Sequence, residues 1–200
     1  SKERVLLRLP MNSEVDEVVK YSDISLNSEM RTIRNLNEAA MKQNKKHKIL
    51  LMIDLGDLRE GIFFRNEEEI HSTVEEILQL KNIDLFGLGV NLTCYGAVIP
   101  KRDNLSVLVE IAEKIEAKYN IKLNMISGGN SSSVYLIDKK ELPEGINNLR
   151  VGEAFLLGGE TAYSQMLEGF YDDAFTLEAE IIELKEKQSK PIGETGVDAF

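Results

Sequence analysis

A single cysteine, Cys94, stands in 200 residues, so no disulfide can form within the chain. Cys94 and the two histidines, His47 and His71, fall into no metal-finger spacing. Basic residues are in deficit: 24 Lys and Arg face 34 Asp and Glu, a formal net charge of -10. A chain with no basic surplus cannot neutralise phosphates in bulk, which excludes a general nucleic-acid binder and requires any anion site to be local. No apolar run is long enough to span a bilayer. The opening Ser1-Lys2-Glu3-Arg4 is too polar, and the apolar stretch after it too short, for a signal peptide. These absences fit a reducing, cytoplasmic setting. What is present is ordinary for a globular protein, with 42% hydrophobic and 29% charged residues.

Strand-like runs alternate with helical patterns. Val5–Leu9, Asp23–Leu26, Ile49–Ile53, Leu85–Leu92, Ile121–Ile126 and Asn148–Val151 read as strands. The third is apolar at every position, which suits a strand covered on both faces. Between them, Ser28 is placed to cap a helix with Met30, Ile33, Leu36 and Ala40 on one face. Asn66 and Glu69 have the spacing of a capping box ahead of Ile70, Val74, Ile77 and Leu80. Asp103 is placed to cap a third helix striped by Leu105, Leu108, Ala112, Ile115 and Tyr119. About six βα units without a hairpin signal predict a parallel α/β sheet, either open and doubly wound or a closed barrel. A closed barrel takes eight units, and a strand beginning at residue 5 puts the two others on the amino-terminal side. Residues 1–160 are assigned to this domain. The strict alternation at Phe175–Ile181 reads as a half-exposed antiparallel strand, so residues 161–200 are expected to be a crossover and the first strand of a β domain. Both ends read as cut from a longer chain.

Polar clusters follow the proposed strands, where α/β folds place their ligands. The run Ser127-Gly128-Gly129-Asn130-Ser131-Ser132-Ser133 is, alone, first of all a flexible polar loop; it also has the glycines and hydroxyls of a phosphate cradle. One strand later comes Arg150-Val151-Gly152-Glu153. The two loops stand where a barrel's phosphate site is usually built, and together they favour a phosphorylated ligand. In Asp54-Leu55-Gly56-Asp57-Leu58-Arg59-Glu60-Gly61, Arg59 can aim a guanidinium at an anionic oxygen or pair locally on a solvated turn. Two carboxylates without a histidine are weak grounds for a metal, and none is expected. Cys94, without a visible base, reads as buried and inert. His47 and His71 read as surface residues.

Asp54-x-Gly56-x-x-Arg59-x-Gly61, Asn130-Ser131 and Arg150-x-Gly152, in that order, resemble the alanine racemase family. The strings Gly89–Pro100 and Ile126–Ser133 resemble its ornithine racemase branch. The resemblance runs over essentially the whole chain. It implies a (β/α)8 TIM-type barrel, incomplete here, followed by a β domain, and pyridoxal 5'-phosphate as cofactor. It implies an activity that interconverts the L and D enantiomers of an amino acid, ornithine or a related diamino acid, in a homodimer. It implies that Ser131 and the N–H groups of Gly152 and Glu153 bind the cofactor phosphate, with Asn130 shaping the turn. Arg150 would meet the pyridine nitrogen and Arg59 the phenolic oxygen. Two departures stand out. A lysine of the family, two residues before the motif aspartate, is Met52 here, and a ring-packing histidine is replaced by Asn91. Both weigh against alanine as substrate. Asp57 reads as a surface aspartate, or as a partner for a substrate's side-chain ammonium. The family's Schiff-base lysine and second-base tyrosine would lie outside residues 1–200, so no catalytic base is assigned to this chain, and alone it is expected to be inactive. The alternative within the same superfamily is a non-catalytic pyridoxal phosphate carrier.

Overall fold

The computed structural model describes residues 2–194 and residue 196. Its core is a parallel sheet: β1 (Val5–Leu6), β2 (Ile24–Asn27), β3 (His47–Asp54), β5 (Ile83–Gly89) and β6 (Met125–Ser127), in that spatial order. The two-residue β4 (Ile62–Phe63) pairs in parallel with the end of β3. Five helices follow strands: α1 (Val15–Tyr21), α2 (Met30–Lys42), α3 (Glu67–Gln79), α4 (Arg102–Tyr119) and α5 (Tyr135–Asp138); α6 (Glu153–Leu157) follows a single parallel bridge between Ser127 and Asn148. The result is six βα units of a barrel, with β1 and β6 at opposite edges of an open sheet.

The apolar run of β3 is covered on both faces, as its composition predicts, and Ile49–Ile53 are fully buried. Alternate residues Leu50 and Met52 join Ile24 and Leu26 in a cluster on one face of the sheet. Ile49, Leu51 and Ile53 join the helix stripes on the other. The expected stripes are buried: Ile33, Leu36 and Ala40 on α2, Ile70, Val74 and Ile77 on α3, and Leu105, Leu108, Ala112 and Ile115 on α4.

Several local expectations are corrected. Asn66 does cap α3, accepting from the Glu69 N–H at 3.3 Å. Ser28 and Asp103 do not cap; the N-cap positions are Glu29 and Lys101, and Asn104 Oδ1 instead accepts the Lys101 N–H at 2.8 Å. The run 148–151 is reduced to one bridge, because the chain turns at once to bond the Ser127–Ser133 loop. The alternation at Phe175–Ile181 forms no strand. A strand needs a ladder partner, none runs beside it among the described residues, and Leu177 is 94% exposed. Residues just after α6 pack back on the barrel: buried Glu160 accepts the N–H groups of Ala162, Tyr163 and Gln165, and the Tyr163 ring meets Tyr135 edge-on at 5.3 Å.

Candidate functional site

At the carboxyl ends of β3, β5 and β6 three loops meet. The loop after β6 is drawn tight by its own side chains. Asn130 Oδ1 accepts the Ser132 N–H at 2.9 Å, its Nδ2 donates to the Leu92 carbonyl at 3.0 Å, and Ser133 donates to the Gly128 carbonyl at 2.7 Å. Gly129 sits at φ +110°, and a Cβ there would lie 2.7 Å from Ser133 Oγ, so only glycine closes this turn. The next loop is zipped to it: the Gly128 N–H donates to the Asn148 carbonyl and the Arg150 N–H to the Gly129 carbonyl, both at 2.9 Å.

The two loops bring Ser131, Gly152 and Glu153 together. Ser131 is buried, and its Oγ accepts the N–H groups of Gly152 at 3.3 Å and Ala154 at 3.1 Å. With both lone pairs engaged, the hydroxyl proton is left to donate, and it has no acceptor among the described residues. The N–H groups of Ser131 and Glu153 likewise have none among the described residues. A Cβ at Gly152 would meet nothing within 4 Å, so the space beside it is open. These are converging donors beside open space, the chemistry that receives a phosphate dianion.

Arg150 carries the second half of the site. Its guanidinium donates to Ser127 Oγ at 2.5 Å, to the Val90 carbonyl at 2.7 Å and to Asn91 Oδ1 at 2.6 Å. Burial pushes its pKa down to about 10; the Glu60 carboxylate opposes that shift and the Arg59 charge adds to it. At neutral pH the group therefore remains a cation. Asn91 is buried and donates its amide N–H to Glu60 Oε1, while Glu60 Oε2 pairs with Arg59 Nε at 2.8 Å. Arg59, Glu60, Asn91 and Arg150 thus form one continuous chain of bonds.

The sequence-derived candidates fall into these two groups: Asn130, Ser131, Gly152 and Glu153 around the open donors, and Arg59, Asn91 and Arg150 in the charged chain. Glu60 and Ser127 join them without having been singled out. Met52 is fully buried, and its sulfur packs against Gly89 on the side where the Arg150 guanidinium also lies. Three readings change. Cys94 is exposed, with its sulfur beside the Arg59 guanidinium, because the loop after β5 swings outward. Asp57 is fully buried and accepts the backbone N–H groups of Cys94 and Val98, so it clamps that loop and faces neither solvent nor a substrate ammonium. His47 is buried against Ser25, 2.9 Å from its hydroxyl, because β3 begins earlier than its apolar run. His71 is partly covered by Tyr119, whose hydroxyl lies 3.2 Å from its Nδ1. Among the described residues no group of three or more His, Cys, Asp or Glu is arranged to hold a metal ion, and no helix is long and apolar enough to cross a membrane.

Fold and site together define a segment of a parallel (β/α) barrel with a cup of backbone and hydroxyl donors and a chain of bonded charged and polar side chains at the strand ends. Residues 1–159 match the model of the alanine racemase N-terminal domain. The chain belongs to the alanine racemase family. It is 58% identical over 197 residues to an ornithine racemase of Acetoanaerobium sticklandii, covering 98% of this chain and 55% of that protein. It is 40% identical over 196 residues to a lysine racemase of Thermotoga maritima, covering 98% of this chain and 54% of the relative. The chain therefore spans about half the length of the curated relatives it matches. Among solved structures, an alanine racemase of Clostridium difficile 630 in complex with cycloserine superposes with a TM-score of 0.55 at 18% identity, over 74% of this chain and 39% of that one.

Proposed function

We propose that this chain is the cofactor-binding part of a pyridoxal phosphate-dependent amino-acid racemase acting on ornithine or a related diamino acid. The observation that carries the reading is the pairing of the open donors of Ser131 and Glu153, beside Gly152, with the buried Arg150 guanidinium at the start of the Arg150–Glu153 loop. Pyridoxal phosphate, when bound, supplies the electron-withdrawing ring that acidifies the substrate's α-C–H. The residues present fit it. Ser131 would donate its hydroxyl proton to the phosphate, and the open N–H groups of Ser131 and Glu153 would add two donors, while Gly152, its own N–H bonded to Ser131 Oγ, keeps the space beside them clear. Asn130 keeps that turn closed. Arg150 would meet the pyridine nitrogen, and as a fixed cation it would donate a hydrogen bond there without giving up a proton. Arg59 addresses the phenolic oxygen, and Asn91 holds Arg150 in place. Met52 and Asn91, where alanine racemases are expected to carry lysine and histidine, favour a substrate other than alanine. The similarity to ornithine and lysine racemases over nearly the whole chain supports a diamino acid. It also favours a racemase over a carrier, because it extends through residues 161–200. Among the described residues, those that converge on the cup include neither a lysine nor a tyrosine. The two groups that move the α-proton therefore come from elsewhere in a full-length homodimer, and residues 1–200 alone do not racemise. A cytoplasmic location fits the single cysteine and the absence, among the described residues, of a helix able to cross a membrane.

The test is spectroscopic. Full-length protein carrying residues 1–200 and loaded with pyridoxal phosphate should absorb in the visible, and borohydride should bleach it. Ser131→Ala, which removes one hydrogen bond to a charged group, should weaken cofactor binding roughly tenfold or more. A protein that stays colourless on loading contradicts the proposal.

A further inference from the structure

Glu60 is the one member of the charged chain without an assigned role. It follows Arg59 directly in sequence, and an adjacent pair of this kind is commonly a solvated ion pair of little consequence. Its surroundings say otherwise. Only 11% of its side chain is exposed, and besides Arg59 Nε at 2.8 Å it engages Asn91, 31 residues further on. The loop delivers it there through Gly61, at φ +119°, where a Cβ would lie 2.6 Å from the Asp54 nitrogen. Asp54 fixes the other end of the loop by accepting the N–H groups of Gly56 at 2.8 Å and Leu58 at 3.1 Å.

Resting on the cofactor reading above, we infer that Glu60 is a positioning residue that sets the orientation of both site arginines, Arg59 directly and Arg150 through Asn91. A carboxylate accepts and never donates. It therefore forces the Asn91 amide to turn its NH2 toward Glu60 and its carbonyl oxygen toward Arg150 Nη2, at 2.6 Å. The reversed amide would set NH2 against guanidinium, two donors facing each other. Arg150 Nη2 is thereby held on Asn91 Oδ1 and the Val90 carbonyl, and Nη1 on Ser127. The same carboxylate draws Arg59 toward Asn91. Met52, buried with its sulfur on Gly89, offers Arg59 no charge, so Glu60 is the carboxylate that holds it. Glu60 also places one negative charge between two cations that would otherwise repel across the site.

The polarity of the chain supplies the test. In Glu60→Gln the carboxamide keeps its bond to Arg59 only by offering NH2 to the NH2 of Asn91, or the reverse, so one link is lost. In the double variant Glu60→Gln/Asn91→Asp the carboxamide and the carboxylate exchange places. The carboxamide then accepts from Arg59 and donates to the carboxylate, and the carboxylate accepts from Arg150. Every donor again meets an acceptor. The full-length protein and both variants would be titrated with pyridoxal phosphate, following the dissociation constant, the visible absorption maximum and the apoprotein melting temperature. Glu60→Gln should weaken cofactor binding about tenfold and shift the absorption maximum while the apoprotein melts close to the parent; the double variant should recover most of the affinity and the parental band. If Glu60→Gln keeps the parental dissociation constant and spectrum, or the double variant is no better than the single, the inference is overturned and the cofactor reading stands. If the parent takes up no cofactor, both fall together.

Discussion

The imidazole of His47 shows how a side chain of no catalytic role can govern stability. It is buried at the start of β3, bonded to Ser25, which in turn accepts from Asn27 Nδ2 at 2.9 Å. Burial pushes its pKa down from 6.5 to about 4; Asp23 pulls in the opposite direction and Lys45 adds slightly to the burial. The unfolded chain therefore binds a proton that the folded one refuses between these values. The neutral ring's contribution is complete above pH 6.5 and is lost as pH falls toward 4. The loss is on the order of 3 kcal/mol, from 1.36 kcal/mol per unit. Urea unfolding across that range should show the decline in the parent, and His47→Gln should flatten it. An unchanged slope in the variant would mean that other groups carry the acid sensitivity. At this scale the sequence was only partly readable. Ser131 and Arg150 announce themselves by their loops, whereas the burial of His47 and Asp57 and the reach of Glu60 depend on where distant loops fall. An acid beside an arginine gives no sign that its second partner lies 31 residues away.

Among the elements, β3 and the three long helices follow directly from their apolar periodicity, because burial of one stripe or of a whole strand is what folds them. The misreadings cluster at ends and edges. Caps are decided by which side chain reaches a free N–H, and Asn104 rather than Asp103 does so. The run 148–151 is diverted from strand pairing by the side chain of Arg150 and by the backbone bonds to Gly129. The contact between β5 and β6 places the site loop, and it depends on Gly87. A Cβ there would lie 1.7 Å from the Met125 carbonyl oxygen, beside the point where the register between β3 and β5 shifts. Gly87→Ala therefore has to push β6, and Ser127 with it, away from the sheet. We expect destabilisation of about 3 kcal/mol or more and a clear drop in melting temperature. A variant that melts with the parent would show that β6 can yield and that the β5–β6 contact does not position the loop.

Across the whole molecule, six βα units make an open sheet whose carboxyl edge carries a donor cup, a buried arginine and a bridging carboxylate. The resemblance in the loop motifs pointed to this architecture, and membership of the alanine racemase family and the superposition on a solved alanine racemase agree with it. What the chain's periodicity left open was barrel against open sheet, since neither pattern nor propensity distinguishes an incomplete barrel from a doubly wound layer. The expected strand at 175–181 has no partner to pair with among the described residues, so alternation there finds no ladder. The central claim is that this cup and its arginines serve the inversion of a diamino acid. The most direct measurement is chiral chromatography of L-ornithine and, separately, D-ornithine incubated with the cofactor-loaded full-length protein. The account predicts that each enantiomer converts to the same equal mixture, and that neither does so with residues 1–200 alone. Cofactor-loaded full-length protein that leaves both enantiomers of ornithine unchanged would contradict it.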